Sequence, residues 1–314
     1  MSEECIENAE RITVETDLIA GNLNKVNLLN DILKPRKEQN SVFLILNQKI
    51  KLSKRLFELI WDRFQIKICA DAGANRLYHY LKSEDDRARY VPNYIIGDFD
   101  SIDEAVKDFY LKHGCVAIKQ TTQYSTDFSK SINLMSLHFN SRKFHAMLNK
   151  KLENFGIPLE SGIHELYDAI PVEEKSSINV LAIGAIGGRF DQTIHSISQL
   201  YTLKHSDPYF NLYYLTENDI IVLLLGGANV IEYDMGFRNE CVGNCGILPI
   251  GEPTTIIESH GLKWDVKNWD TSISTGKVSS SNRFVGIDRC YVNVKDDMIM
   301  NIEVDLIKLQ KYIE

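Results

Sequence analysis

Short, wholly apolar runs and helically spaced apolar residues alternate through the first two-thirds of the chain. Val42-Phe43-Leu44-Ile45-Leu46 reads as a strand buried on both faces. A helical stretch follows from about Ser53 to Arg63, with apolar residues at Leu56, Leu59 and Ile60. Ile66-Lys67-Ile68-Cys69-Ala70 is a second strand and runs directly into Asp71-Ala72-Gly73-Ala74-Asn75. Strand, helix, strand and small-residue turn make a βαβ unit, with its functional edge at the strand C-termini. The pattern repeats. Tyr94-Ile95-Ile96 ends in Gly97-Asp98-Phe99-Asp100-Ser101, and Val116-Ala117-Ile118 leads through residues 121–127 into a helix. In that helix Phe128, Ile132, Met135 and Phe139 form one core-facing stripe. A strand over 178–183 enters Gly184-Ala185-Ile186-Gly187-Gly188-Arg189-Phe190-Asp191, then a helix over about 192–203, and 211–215 is the last strand of this layer.

After residue 219 the period changes. Short β-type runs at 220–225, 229–233, 246–249, 254–258, 290–294 and 298–304 are separated by Gly, Pro, Asn and Asp turns. The expected fold is therefore α/β: an open, mostly parallel α/β sheet domain over 41–219, then an all-β sandwich over 220–314. Residues 1–40 are polar and weakly patterned and read as an N-terminal extension, a tail or a peripheral helix. Residues 141–176 read as an irregular, charged surface insertion in the first domain.

Composition narrows the function. In 314 residues, 35 Lys+Arg oppose 43 Asp+Glu, a net charge of −8. That balance argues against a general nucleic-acid or anionic-membrane binder, which runs on Lys and Arg neutralising phosphates. The apolar run at 220–225 is too short to span a bilayer, and residues 1–17 lack the apolar region of a secretory signal. A soluble, cytoplasmic protein is expected. Cys69 and Cys290 sit in apolar runs and read as buried thiols. Cys241 and Cys245 have no second Cys/His pair at finger spacing, which argues against zinc.

Candidate chemistry gathers on loops that follow strands. Asp98 and Asp100 flank one residue of a tight turn, so both point into one crevice, and Asp127 and Asp191 stand at helix starts. Asp127 has a plain alternative as a helix N-cap, and Asp98 and Asp100 as a solvated turn. Four acids at one edge repel each other unless a cation lies between them, and Asp oxygens suit Mg²⁺ together with phosphate oxygens. The Gly184–Gly188 turn admits backbone N–H groups to an anion, with Arg189 and Lys119 as added cations; it is not a P-loop. This set implies Mg²⁺-assisted handling of nucleotide phosphates. In the second domain, Trp264 between Lys263 and Asp265 is either core or a stacking face for a flat or cationic ring. Ser279 to Asn282 is either a polar turn or a hydrogen-bonding edge for a heterocycle.

Six motifs together resemble thiamin pyrophosphokinase, in order over about 42–310. They are Cys69-Ala70-Asp71 with Asn75-Arg76-Leu77, Ile96-Gly97-Asp98-Phe99-Asp100-Ser101, Ser125-Thr126-Asp127-Phe128, Gly187 to Gln192, Gly261-Leu262-Lys263-Trp264 and Ser280-Ser281-Asn282. The 141–176 insertion and the Cys241/Cys245 region resemble the fungal form. Two small departures are the Ala72-Gly73 order and serine at the usual threonine step of 280–282. The resemblance implies Mg²⁺-dependent diphosphoryl transfer from ATP, the co-substrate, to the thiamin hydroxyl, giving thiamin diphosphate and AMP. It implies Asp98, Asp100 and Asp127 as metal ligands, with Asp71 bordering the crevice. Gln120, Asp127, Arg189 and Asp191 would position the triphosphate or its metal, and Trp264, Ser281 and Asn282 the thiamin rings. It further implies a homodimer whose active sites lie between the α/β domain of one subunit and the β domain of the other. Two rivals remain. An aspartyl-phosphate hydrolase would share the Asp98-Phe99-Asp100 motif, but has Ile102 where Thr or Val is expected. A non-catalytic thiamin or nucleotide sensor would have no need of Asp98, Asp100 and Asp127.

Overall fold

The structure, a computed structural model, describes residues 2–16, 23–149 and 162–314. Residues 17–22 of the expected extension and 150–161 of the expected insertion lie outside the described residues. The chain forms two compact units: residues 37–51 with 61–211, and residues 1–36 with 52–60 and 212–314.

The extension contributes two strands, β1 (Glu4–Glu7) and β2 (Asn24–Asn27), and not a tail or peripheral helix. A wide π-type turn over Leu28–Leu33 follows, with Leu28, Ile32 and Leu33 fully buried. Asn27 caps it, its Oδ1 accepting the N–H groups of Leu29 and Asn30 at 3.1 and 2.8 Å.

The α/β elements then run in the expected order. They are β3 (Asn40–Ile45), α1 (Lys54–Trp61), β4 (Ile66–Ala70), α2 (Gly73–Tyr80), α3 (Glu84–Arg89), β5 (Tyr94–Gly97), α4 (Glu104–Lys112), β6 (Val116–Lys119) and α5 (Asp127–Asn140). Strand β3 pairs in parallel with β4 and with β7 (Ile178–Ile183), β4 with β5, and β5 with β6. Strand β7 is buried at every position, as strands covered on both faces are. On α5, Phe128, Ile132 and Met135 are buried, as the stripe requires, and Phe139 is half-buried. The described part of the 141–176 stretch is not irregular: it forms α6 (Arg142–Asn149) and α7 (Gly162–Asp168). Helix α8 (Phe190–Ser206) follows the Gly-rich turn.

The second unit is strand-rich. Its elements are β8 (Phe210–Leu215), β9 (Asp219–Leu224), β10 (Gly227–Glu232), α9 (Met235–Cys241), β11 (Val242–Leu248), β12 (Thr254–His260), β13 (Trp264–Thr271), β14 (Ser279–Asn282), β15 (Arg289–Val294), β16 (Met298–Val304) and α10 (Leu306–Ile313). Antiparallel pairs join β8 to β9, β9 to β16, β16 to β11 and β11 to β14. A separate six-stranded sheet has the order β1-β13-β12-β15-β10-β2. Both of its outer strands come from the N-terminal segment. Cys69 and Cys290 are fully buried, as their apolar runs imply. Among the described residues, no helix is long and apolar enough to cross a membrane.

Candidate active site

The carboxyl ends of β4, β5 and β7, the turn before α5 and the start of α8 border a cleft of ≈ 480 Å³. Asp71 follows β4 directly, at φ +40°, and is 4% exposed. Positive φ at a non-glycine residue is strained and persists where the surroundings enforce it. Gly97 makes room for it: a Cβ there would stand 2.7 Å from the Asp71 Cβ and 3.0 Å from its Oδ1. Phe99, at φ +66°, turns the chain so that Asp98 and Asp100 leave on the same side. Carboxylate oxygens of Asp71, Asp98 and Asp100 lie within 4.8 Å of one another. The Asp71 Oδ1 is buried without a hydrogen-bond partner.

The electrostatics follow from this crowding. Burial, then the charges of Asp127, Asp98 and Asp100, push the Asp71 carboxyl up to about 6. Burial also raises Asp98, but the Asp100 N–H, the Gln123 amide and the Lys130 charge outweigh it and hold Asp98 below the usual range. Burial raises Asp127 against the pull of Lys130. A buried, unpaired acceptor beside two further carboxylates is a donor set for a hard divalent cation, and Mg²⁺ fits it.

Asp127 stands slightly apart from that trio. It is the first residue of α5 and not its N-cap; Thr126 caps, its Oγ1 accepting the Ser129 N–H at 3.2 Å. The Asp127 Oδ1 meets Lys130 Nζ at 3.1 Å, one turn along the helix. Lys130 is 2% exposed and lines the cleft, a buried cation that the motif reading passed over. The spacing Asp127 to Lys130 was the available signal. Gln48 was also missed. Its side chain occupies the space a Cβ on Gly188 would need, 2.0 Å from its Nε2, while Gly188 itself sits at φ +68°. His195 Nε2 reaches Thr126 Oγ1 at 3.3 Å on the same wall.

The remaining phosphate candidates divide. Arg189 lines the cleft and is exposed, paired with Asp191 (Nη2 to Oδ2, 2.5 Å). Lys119 and Gln120 are not among the residues bordering the cleft. Gln120 is 1% exposed; its Nε2 donates to the Lys119 carbonyl at 2.8 Å and its Oε1 accepts the Ile163 N–H at 3.0 Å. It ties β6 to α7.

In the strand-rich unit, Trp264 opens β13 and is 40% exposed, so it is not core. Asn282 is buried and its amide is committed to Trp264: Nδ2 donates to the Trp264 carbonyl at 2.9 Å and Oδ1 accepts the Trp264 N–H at 3.1 Å. Ser281, the residue before Asn282, is exposed and held at φ +60°, a strained backbone for a non-glycine residue.

An open parallel sheet with clustered acids and a Gly-rich turn at its carboxyl edge defines an α/β protein whose ligand crevice lies at that edge. Within that class the chain belongs to the thiamin pyrophosphokinase family. The thiamin pyrophosphokinase catalytic domain matches residues 57–212, and the thiamin pyrophosphokinase vitamin B1 binding domain matches 234–299. The chain is 54% identical to the thiamine pyrophosphokinase of Saccharomyces cerevisiae, over 98% of this chain and 99% of that protein. It superposes on the crystal structure of yeast thiamin pyrophosphokinase with a TM-score of 0.92 at 53% identity, covering 98% of this chain and 99% of that one. Thiamin pyrophosphokinase from Candida albicans is 37% identical with a TM-score of 0.80, covering 97% and 99%.

Proposed function

We propose that the chain transfers a diphosphoryl group from ATP to thiamin, giving thiamin diphosphate and AMP, with Mg²⁺ as the metal. The observation that carries the metal is the trio Asp71, Asp98 and Asp100 around an unpartnered buried oxygen. When bound there, Mg²⁺ neutralises phosphate charge and orients the triphosphate. Asp71, Asp98 and Asp100 would hold it, with Asp127 within reach at the start of α5. Arg189, kept in place by Asp191, would contact phosphate oxygens, and the Gly184–Gly188 turn would present backbone N–H groups to them. Gln120 lies outside the cleft lining and ties the end of β6 to α7 through its bonds to the Lys119 carbonyl and the Ile163 N–H. The thiamin hydroxyl oxygen attacks the β-phosphorus, the bond from that phosphorus to the α–β bridging oxygen breaks, AMP leaves, and the hydroxyl proton is released. A loose transition state develops little charge on the attacking oxygen until late, so no strong base is required.

Trp264 and Ser281 would receive the thiamin rings, the indole facing a cationic heterocycle, while Asn282 fixes the Trp264 backbone. A homodimer with its active sites between subunits, in the cytoplasm, completes the reading. All six cysteines are free thiols, which suits a reducing compartment. The test is product identity: with ATP, Mg²⁺ and thiamin, AMP and thiamin diphosphate appear together. ADP in place of AMP would refute diphosphoryl transfer.

A further inference from the structure

The N-terminal strand lies outside both matched domain regions, yet it is built into the segment that carries Trp264. Strand β1 runs antiparallel to β13, with Glu7 opposite Trp264 and Ile6 opposite Asp265. Asn8 extends the ladder, its N–H donating to the Lys263 carbonyl at 2.8 Å. The Asn8 side-chain amide then donates twice, to the Leu262 carbonyl at 2.8 Å and to Asp265 Oδ2 at 2.5 Å. Lys263 Nζ donates back to the Asn8 carbonyl at 2.6 Å, flanked by Glu7 at 3.2 Å and Glu10 at 3.3 Å.

Asp265 is 5% exposed. Its carboxylate also accepts Ser259 Oγ at 2.9 Å and the N–H groups of Gly261 and Leu262, each at 3.1 Å. Asn8 thus adds the last donor around a buried anion at the base of the turn that delivers Trp264. Removing a donor from a buried carboxylate costs more than an ordinary hydrogen bond, and the turn relaxes to recover it. Because the indole is exposed, its direction depends on the backbone beneath it. Asn282 holds that backbone on one flank, and β1 with Asn8 holds it on the other.

We infer that Asn8 is a positioning residue for thiamin recognition, acting on Trp264 through Asp265 and Leu262. This deepens the ring-binding reading of Trp264 and rests on it. Steady-state kinetics of the full-length variants Asn8→Ala, Lys263→Gln and Trp264→Ala, varying thiamin and MgATP in turn, test it. Asn8→Ala raises the thiamin KM about tenfold. The ATP KM and kcat stay within about twofold, and Lys263→Gln shows the same split more weakly. A thiamin KM unmoved in Asn8→Ala, or a loss spread evenly over kcat and both KM values, overturns the inference. If Asn8→Ala does not fold, Lys263→Gln decides by the same criteria. An unmoved thiamin KM in Trp264→Ala removes the ring-binding reading and this inference together. A raised one beside an unmoved Asn8→Ala removes the inference alone.

Discussion

Asp71 is held where an aspartate gains nothing for stability: positive φ, nearly no solvent, an unpartnered oxygen and three acidic neighbours. Its carboxyl is raised to about 6, whereas in the unfolded chain it lies near 3.8. Between those values the native state keeps a proton that the unfolded chain has lost, so stability falls as pH rises through the window. The penalty is present in full well above pH 6 and is on the order of 3 kcal/mol. Asp71→Asn therefore melts higher than the wild type at neutral pH in the presence of a chelator, with the gap closing below about pH 4. Turnover falls in the same variant by about a hundredfold or more. Equal melting temperatures at neutral pH would show that the residue is not destabilising as built. Asp71, Asp98 and Asp100 were legible in sequence because each stands just past an apolar run, and topology brings such positions to one edge. Lys130, Gln48 and Asn8 were not. Their roles depend on partners that the fold supplies, or, for Lys130, on burial of a side chain that composition places at the surface.

Among elements, the parallel strands were plain because strands covered on both faces are continuously apolar, and β3, β4 and β7 differ from the expected runs by a residue or two at most. Of the later strands, β16 spans the run at 298–304, whereas β13 and β14 lie outside the expected runs, their sequences being largely polar. Strand β1 was invisible, since all four of its residues are exposed and it is held by its ladder to β13. Periodicity reports burial, and β1 has none to report. In the same way the apolar spacing of Leu28, Ile32 and Leu33 was lost among polar neighbours. Helix α5 shows how an element positions chemistry. Thr126 caps it, and the next residue is Asp127. Thr126→Ala removes the acceptor for the Ser129 N–H and lowers stability by about 1 kcal/mol, read from the urea midpoint. Fraying the first turn also loosens Asp127 from Lys130, so turnover drops several-fold. An unchanged midpoint would mean that another group satisfies the Ser129 N–H.

At the scale of the whole molecule, a chain of net charge −8 concentrates part of that charge at one cleft, the one proposed above to receive an anionic nucleotide. The folded state carries the mutual repulsion of Asp71, Asp98, Asp100 and Asp127, and the unfolded chain does not. A divalent cation that binds the trio relieves that repulsion in the folded state alone, so its binding free energy adds to stability. The increment is about 2.7 kcal/mol at a free concentration one hundred times Kd. Thermal melts of the wild type without nucleotide thus shift upward with added Mg²⁺, in a saturable way. Asp98→Asn removes one charged oxygen donor from the trio and flattens that titration. Arg189→Gln, which touches none of the three acids, leaves the Mg²⁺ response intact while weakening use of ATP. A melting temperature that ignores Mg²⁺ in the wild type, or a response that persists unchanged in Asp98→Asn, would place the metal elsewhere.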